Sequence, residues 1–187
     1  LTGFSVAGGI FMLIVLLGSG NGLKKGVTSN FSDRAKNSMA TFGGRTSVPY
    51  KGYEKGRAIY QKGGDTAALR RAFPQIRKIA AHARHPGSEL SFGKNYTKAT
   101  LNGVSPEYAE IEGIKLIEGR FINAADVREG RKVIVIDETA AAALFGGRSG
   151  IGTEIVFDKM VYTIVGLCKV RSWGNDATSY LPLSTLQ

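Results

Sequence analysis

Hydrophobic and polar positions divide this chain of 187 residues into three regimes. The first, LTGFSVAGGIFMLIVLL at residues 1–17, is apolar almost without interruption, and no charge appears before Lys24. A helix over 1–23 would be about 34 Å long, enough for a hydrocarbon core of about 30 Å. No strand of that length is ordinary. The second regime, LKKGVTSNFSDRAKNSMATFGG, spaces Leu23, Val27, Phe31, Ala35 and Met39 four apart. That stripe predicts an amphipathic helix continuing over 24–44, with Gly43-Gly44 as its stop. Asn30, Ser32 and Asp33 offer an alternative break and cap within it. The third regime, 45–187, mixes short alternating runs with short helical ones.

In that third regime RTSVPYKGY reads as a short extended piece ending in turn residues. Asp65 predicts a cap for the helix TAALRRAF, which Pro74 closes. QIRKIAAHAR and ELSFGKNYTKATLNGV read as strands separated by the turn HPGS, 85–88. SPEYAEIEGI predicts a short helix with Ser105 as cap and Pro106 at the first helical position. KLIEGRFI is a strand leading into NAADVREG, a capped turn or short helix. KVIVI is a buried strand; Asp137 caps the helix ETAAAALFGG after it. GTEIVFDKMVYTIVGLCKV predicts a hairpin turning at Asp158-Lys159, and SYLPLSTL a strand running into a helix start. Strands and helices do not alternate regularly, so the fold class is α+β.

Two other readings of the N-terminus compete with the membrane helix. LLGSGNGLKKG, 16–26, approaches a dinucleotide-binding glycine turn, but such a turn follows a short buried strand. The 17 apolar residues before it exclude that context. A cleaved signal peptide has a basic start and a shorter apolar core. This chain opens at Leu1 with neither, as expected of a fragment lacking its upstream part. Gly3, Ser5, Ala7 and Gly9 supply small residues four apart, a spacing suited to helix packing in lipid.

Charge changes the picture in one place. The net +10 is concentrated in 45–86, which holds ten basic and two acidic residues, whereas 87–187 holds eleven and twelve. An excess of this kind attracts anionic lipid, an acidic partner or nucleic acid, or it is simply a solvated face. No nucleic-acid recognition motif accompanies it, and nucleic acid is not expected as a partner. Lys24, Lys25, Arg34 and Lys36 follow the apolar run, and by the positive-inside rule that side would be cytoplasmic.

Candidate chemistry is sparse. VIVIDET resembles a strand that holds Mg²⁺ in ATPases, but no Gly-x-x-x-x-Gly-Lys-Ser/Thr loop exists in the chain. Asp137 is then a helix cap, and Glu138 sits where the helix dipole favours an acid. His82 and His85, three apart on a strand, point to opposite faces and cannot share a metal. Cys168 is the single cysteine, so no intrachain disulfide forms; on its apolar strand it reads as packed. Asn30 and Asn95 begin glycosylation sequons. No catalytic, cofactor-binding or metal site is expected.

The order of motifs after the helix adds a resemblance. Gly119-Arg120-Phe121, Leu144-Phe145-Gly146, Gly152, Val165-Gly166 and Pro182 fall in sequence as in the extracytoplasmic core domain of MacB/FtsX-type ABC transporter permeases. The chain resembles that family strongly over 103–187 and weakly over 45–98. The resemblance implies a transmembrane helix at 1–23, a stalk at 24–44 and a core domain of two small lobes at 45–187. It places the chain in the bacterial inner membrane, in contact with membrane lipid, with everything after residue 23 facing the periplasm, against the charge rule above. It further implies an ABC ATPase partner, separate or fused, a permease homodimer or heterodimer, and a periplasmic adaptor or lipoprotein partner. Its role would be to couple ATP hydrolysis elsewhere to movement of the outer domain. The alternative is a singly anchored extracytoplasmic module that binds an anionic ligand.

Overall fold

The computed structural model describes residues 3, 8–19, 38–61, 63–169 and 176–186. Two compact units divide it, Leu1–Ser38 and Met39–Gln187. In the first, residues 8–19 are helical, and Ile10, Phe11, Leu13, Leu16 and Leu17 all expose their side chains. Among the described residues no helix is long and apolar enough to cross a membrane. Residues 1–2, 4–7 and 20–23 of the helix expected over 1–23, and residues 24–37 of the stalk expected over 24–44, lie outside the described residues. Where the stalk was expected to end, the structure differs. Residues 38–44 are not helical.

The reason lies in what pairs with them. Gly44 O accepts from Ile59 N–H at 2.8 Å, and Thr46 pairs with Arg57 O at 2.9 Å and with Gly56 N–H at 2.7 Å. These bonds draw 41–61 into a long irregular hairpin. Its tip is Tyr50–Tyr53, which exchange backbone bonds of 3.1 and 3.0 Å. Lys51 and Gly52 take the positive φ values, 49° and 82°, that a two-residue hairpin turn needs. Gly43 is glycine because a Cβ there would lie 2.2 Å from Ile59 O. The Gly-Gly pair therefore admits a neighbouring chain rather than stopping a helix.

Helix α1, Gly63–Ala72, begins two residues before Asp65, which sits in its first turn rather than capping it. Strand β1 runs from His82 to Phe92 and β2 from Asn95 to Val104. The expected strand over 75–84 thus shrinks to its last three residues, and HPGS is a bulge inside β1, where the register slips between His85 and Ser88. The actual turn is Gly93-Lys94. Pro86 has no N–H to give a ladder, so a bulge accommodates it within one long strand.

Helix α2, Tyr108–Glu112, has Glu107 before it and no side-chain cap. Ser105 was expected to cap it; its Oγ instead accepts from Ala81 N–H at 3.1 Å. Strand β3, Lys115–Gly119, leads to α3, Ala124–Glu129, and β4, Val133–Asp137, leads to α4, Glu138–Phe145. Strands β5, Glu154–Phe157, and β6, Met160–Lys169, form the expected hairpin, with Asp158 and Lys159 at φ 48° and 61°. Strand β7, Ala177–Pro182, runs into a single 3₁₀ turn, Leu183–Thr185.

All seven strands join one mixed sheet in the order β3-β6-β4-β7-β2-β1-β5. β2 and β7 are parallel, as are β4 and β6, and the other neighbours are antiparallel. The sheet curls until β5 meets β1 at one bridge, Ser91 to Val156, while also pairing with β6. The α+β reading therefore holds as a seven-stranded mixed sheet with short helices. Met39–Gln187 forms one compact unit. Inside the curl, Ala140, Ala141 and Leu144 of α4 pack on Leu101, Ile136, Ile155, Tyr162 and Ile164. The opposite face carries a smaller cluster of Val104, Ile122, Val135, Cys168 and Tyr180.

Candidate functional site

Gly119, Arg120, Val165 and Gly166 meet at one corner of the sheet. β3 ends at Gly119 with φ 76°, and a Cβ there would lie 2.4 Å from Val165 O. Gly166 faces it, and a Cβ at Gly166 would lie 2.2 Å from Arg120 O. Two glycines are needed because two backbones touch, with Arg120 N–H donating to Val165 O at 2.9 Å. The crossing aims the Arg120 side chain at α3.

There Arg120 meets Asp126, whose side chain is wholly buried. Nη1 reaches Oδ2 at 2.5 Å and Nη2 reaches Oδ1 at 3.1 Å, a two-pronged pair. Arg131 Nη1 stands 3.7 Å from Oδ1. Asn123 completes the arrangement as a capping box: Asp126 N–H donates to its Oδ1 at 2.9 Å, and Asn123 N–H donates to Asp126 Oδ2 at 3.0 Å. Burial pushes the Asp126 carboxyl up. The Arg120 hydrogen bond, the Asn123 N–H and the charges of Arg120 and Arg131 outweigh that and hold it below the ordinary carboxylate value.

The same corner holds the end of β7. Ser184 Oγ donates to Val127 O at 2.7 Å, and Thr185 Oγ1 donates to Arg131 O at 3.4 Å. Gly103 leaves the space that Leu186 fills, since a Cβ there would meet Leu186 Cδ2 at 2.9 Å. Leu183–Thr185 is thus tied to α3, and α3 through Asp126 to the end of β3. The arrangement couples two distant parts of the chain, and its hydroxyls and its carboxylate are engaged in these ties.

Asp137 acts as a second tie. Its Oδ1 accepts from Ala140 N–H at 2.8 Å, the cap the sequence predicts. Its Oδ2 accepts from Thr178 N–H at 2.9 Å, which the sequence does not show, and joins β4, α4 and β7 at one carboxylate. Burial raises its pKa, with the Ala140 and Thr178 bonds opposing.

The other residues singled out lie apart. His82 Nε2 meets Asn102 Oδ1 at 2.8 Å and its ring stacks on Tyr108, whereas His85 Nδ1 meets Ser88 Oγ at 2.9 Å. Cys168 is fully buried, its Sγ donating to Ile136 O at 3.4 Å, and burial pushes the thiol up to about 12. Asn95 spends its amide on Leu144 O at 2.9 Å, closing the C-terminus of α4. Asn30 lies outside the described residues. Of the basic segment, Arg70 and Lys78 pair with Glu107 and Glu110, and Arg57 lies over the Tyr53 ring.

What the sequence reading missed is the partnership of Arg120 with Asp126. The spacing of the Asn123 and Asp126 box was its available signal.

Comparison with known proteins places the fold. The chain is 27% identical over 191 residues to the macrolide export ATP-binding/permease protein MacB of Aggregatibacter actinomycetemcomitans, covering all of this chain and 29% of that protein. It is 27% identical over 169 residues to MacB of Neisseria gonorrhoeae, covering 90% of this chain and 26% of the relative. The chain thus spans less than a third of the curated relatives it matches. Among solved structures, the extracellular domain of the noncanonic ABC-type transporter YknZ from Gram-positive bacteria shares the fold with a TM-score of 0.59. There the identity is 21%, over 66% of this chain and 63% of that one. The periplasmic region of MacB from Actinobacillus actinomycetemcomitans gives 0.53 at 24% identity, over 65% and 56%. The family model for the MacB-like periplasmic core domain, a region distinct from a nucleotide-binding domain, matches residues 1–187. The chain belongs to the MacB-like periplasmic core domain family.

Proposed function

We propose that this chain is a fragment of a MacB/FtsX-type ABC permease and works as a mechanical relay. In this reading residues 1–23 form the first membrane helix and 24–37 a stalk. The domain from residue 38 onward faces the periplasm at the bacterial inner membrane. A nucleotide-binding subunit or domain hydrolyses ATP, and two permease copies, identical or paralogous, move together. A periplasmic adaptor or lipoprotein would receive the movement as export, lipoprotein release or envelope mechanotransmission.

The observation that carries the reading is the corner where Leu183–Thr185, α3 and β3 are tied through Ser184, Asp126 and Arg120. A relay needs its incoming segment fastened to a stiff body, and the polar groups here are engaged in fastening rather than held open for a ligand. The exposed apolar side chains of residues 10–17 support placement in lipid.

The test is to express the gene with its native flanks, extract the membranes in mild detergent and purify through a tag on this chain. Co-purification of an ATPase whose turnover falls in a Ser184→Ala, Asp126→Asn double variant is the expected result. A chain that emerges from membranes alone, or fractionates as freely soluble, overturns the proposal.

A further inference from the structure

We propose that the hairpin 41–61 is a second membrane contact, whose tip settles on an anionic lipid surface. This rests on the membrane reading above, and the test below separates the two.

The hairpin has the chemistry of an interfacial anchor. Tyr50 is 71% exposed, Tyr53 60% and Tyr60 82%, although tyrosine ordinarily buries its ring. Tyrosine is a residue that water–lipid interfaces accommodate, its ring among headgroups and its hydroxyl in water. Val48 and Ile59 are exposed along the arms as well. Interleaved with these are Arg45, Lys51, Lys55 and Arg57, against the single acid Glu54. Two of the cations lie over the tip rings, Lys51 over Tyr50 at 5.5 Å and Arg57 over Tyr53 at 4.5 Å. They therefore share the tyrosines' surface, where anionic headgroups meet both.

The tip is also rigid enough to present these groups. Reciprocal Tyr50 and Tyr53 backbone bonds and the Gly56, Thr46 and Arg57 ladder hold the turn with no core behind it. Chain connectivity favours lipid over a soluble acidic partner, because the hairpin follows the apolar N-terminal run after only a short stretch of chain. An acidic protein would satisfy the cations but gives no reason for three exposed tyrosines.

The experiment uses the full chain with Lys51→Cys carrying a nitrobenzoxadiazole dye; Cys168 is fully buried and does not compete for label. Vesicles of phosphatidylcholine alone are compared with vesicles containing about 30% phosphatidylglycerol, each doped with doxyl lipid as quencher. A dye on Lys132→Cys, in the sheet domain, is the reference. Expected are a blue shift and about a twofold loss of emission with phosphatidylglycerol only, at position 51 and not 132, reversed by salt. Adding Lys55→Gln and Arg57→Gln should weaken the effect about fivefold per cation removed. Equal quenching at both positions, quenching that ignores lipid charge, or a dye that answers polyglutamate but no vesicle would each overturn the proposal. Alkaline carbonate extraction of the same vesicles reports separately on the N-terminal helix. A chain that resists extraction with an unquenched dye refutes the hairpin contact and leaves the helix standing.

Discussion

The hairpin 41–61 and the sheet beginning at β1 are opposite solutions to keeping a chain in place. In the sheet, Leu90, Leu101, Ile134, Ile136, Ile155 and Leu181 are completely buried, and the cross-strand neighbours of each strand define its register. The hairpin has no buried residue among 38–61; Thr46 and Ala58 are half-buried there, and backbone bonds with a tight turn define its path. Aromatic residues make the contrast sharpest. Tyr180 and Tyr162 are sealed among apolar neighbours, whereas Tyr50 and Tyr60 stand in solvent. A side chain left exposed where the fold gains nothing from it is available for work outside the fold. The +8 of the basic segment is accordingly divided: Arg70 and Lys78 are used within the domain, and the hairpin cations face outward.

That contrast can be broken most severely inside the curl. Leu144→Ala should cost about 3–5 kcal/mol, because α4 packs across β2 and β7 and cannot close around the cavity; urea denaturation with an unchanged m-value checks it. Gly166→Ala should cost about 3 kcal/mol or destroy cooperative unfolding, since the added carbon meets backbone at Arg120 O and no rotamer can move aside. A Gly166→Ala protein melting like the parent would refute the backbone crossing.

Asp126→Asn comes next, at about 2–3 kcal/mol. This is below the 3–5 of a fully buried pair because Arg120 and Arg131 are 42% and 49% exposed. Its pH signature is specific. A carboxyl held below its ordinary value stabilises the fold above pH ~4 and loses that contribution as pH falls through the lowered pKa. The variant should therefore lose stability at neutral pH and show a flatter acid limb than the parent. Asp137 behaves in the opposite sense, since burial raises its pKa and the folded state holds the proton more tightly than the unfolded one. Its ionisation weakens the fold as pH rises above ~4. Asp137→Asn should remove that dependence while costing about 1–2 kcal/mol, because an amide cannot accept from both Ala140 and Thr178. Thermal melts across pH 3–7 distinguish the two residues by the sign of the slope.

The smallest effect belongs to the hairpin. Tyr50→Ser should change stability by less than about 0.5 kcal/mol, as expected for a surface side chain outside any core. A large drop in melting temperature would mean that the hairpin packs as the sheet does, and would end the comparison.

Local sequence was sufficient wherever a residue acts on its own neighbours. Asp137 before an alanine-rich run reads as a cap; Asp158-Lys159 between two alternating runs reads as a hairpin turn; both are found. The exclusion of a phosphate loop also needed only the order of residues. Hydrophobic alternation named most strands from β4 onward, because each buries one or both faces and the pattern records it.

Tertiary structure decided what depends on distant partners. Gly43-Gly44 looks like a helix stop, but Ile59 turns it into one side of a hairpin. HPGS looks like a turn, but the long ladder with β2 carries β1 through it as a bulge. Ser105 looks like a cap, but Ala81 takes its hydroxyl. Asp126 looks like one more acid in a short helix, and only the crossing at Gly119 and Gly166 brings Arg120 to it. Periodicity encodes which side of an element faces inward; it carries nothing about which other segment will be waiting there, and that is set by how the sheet closes.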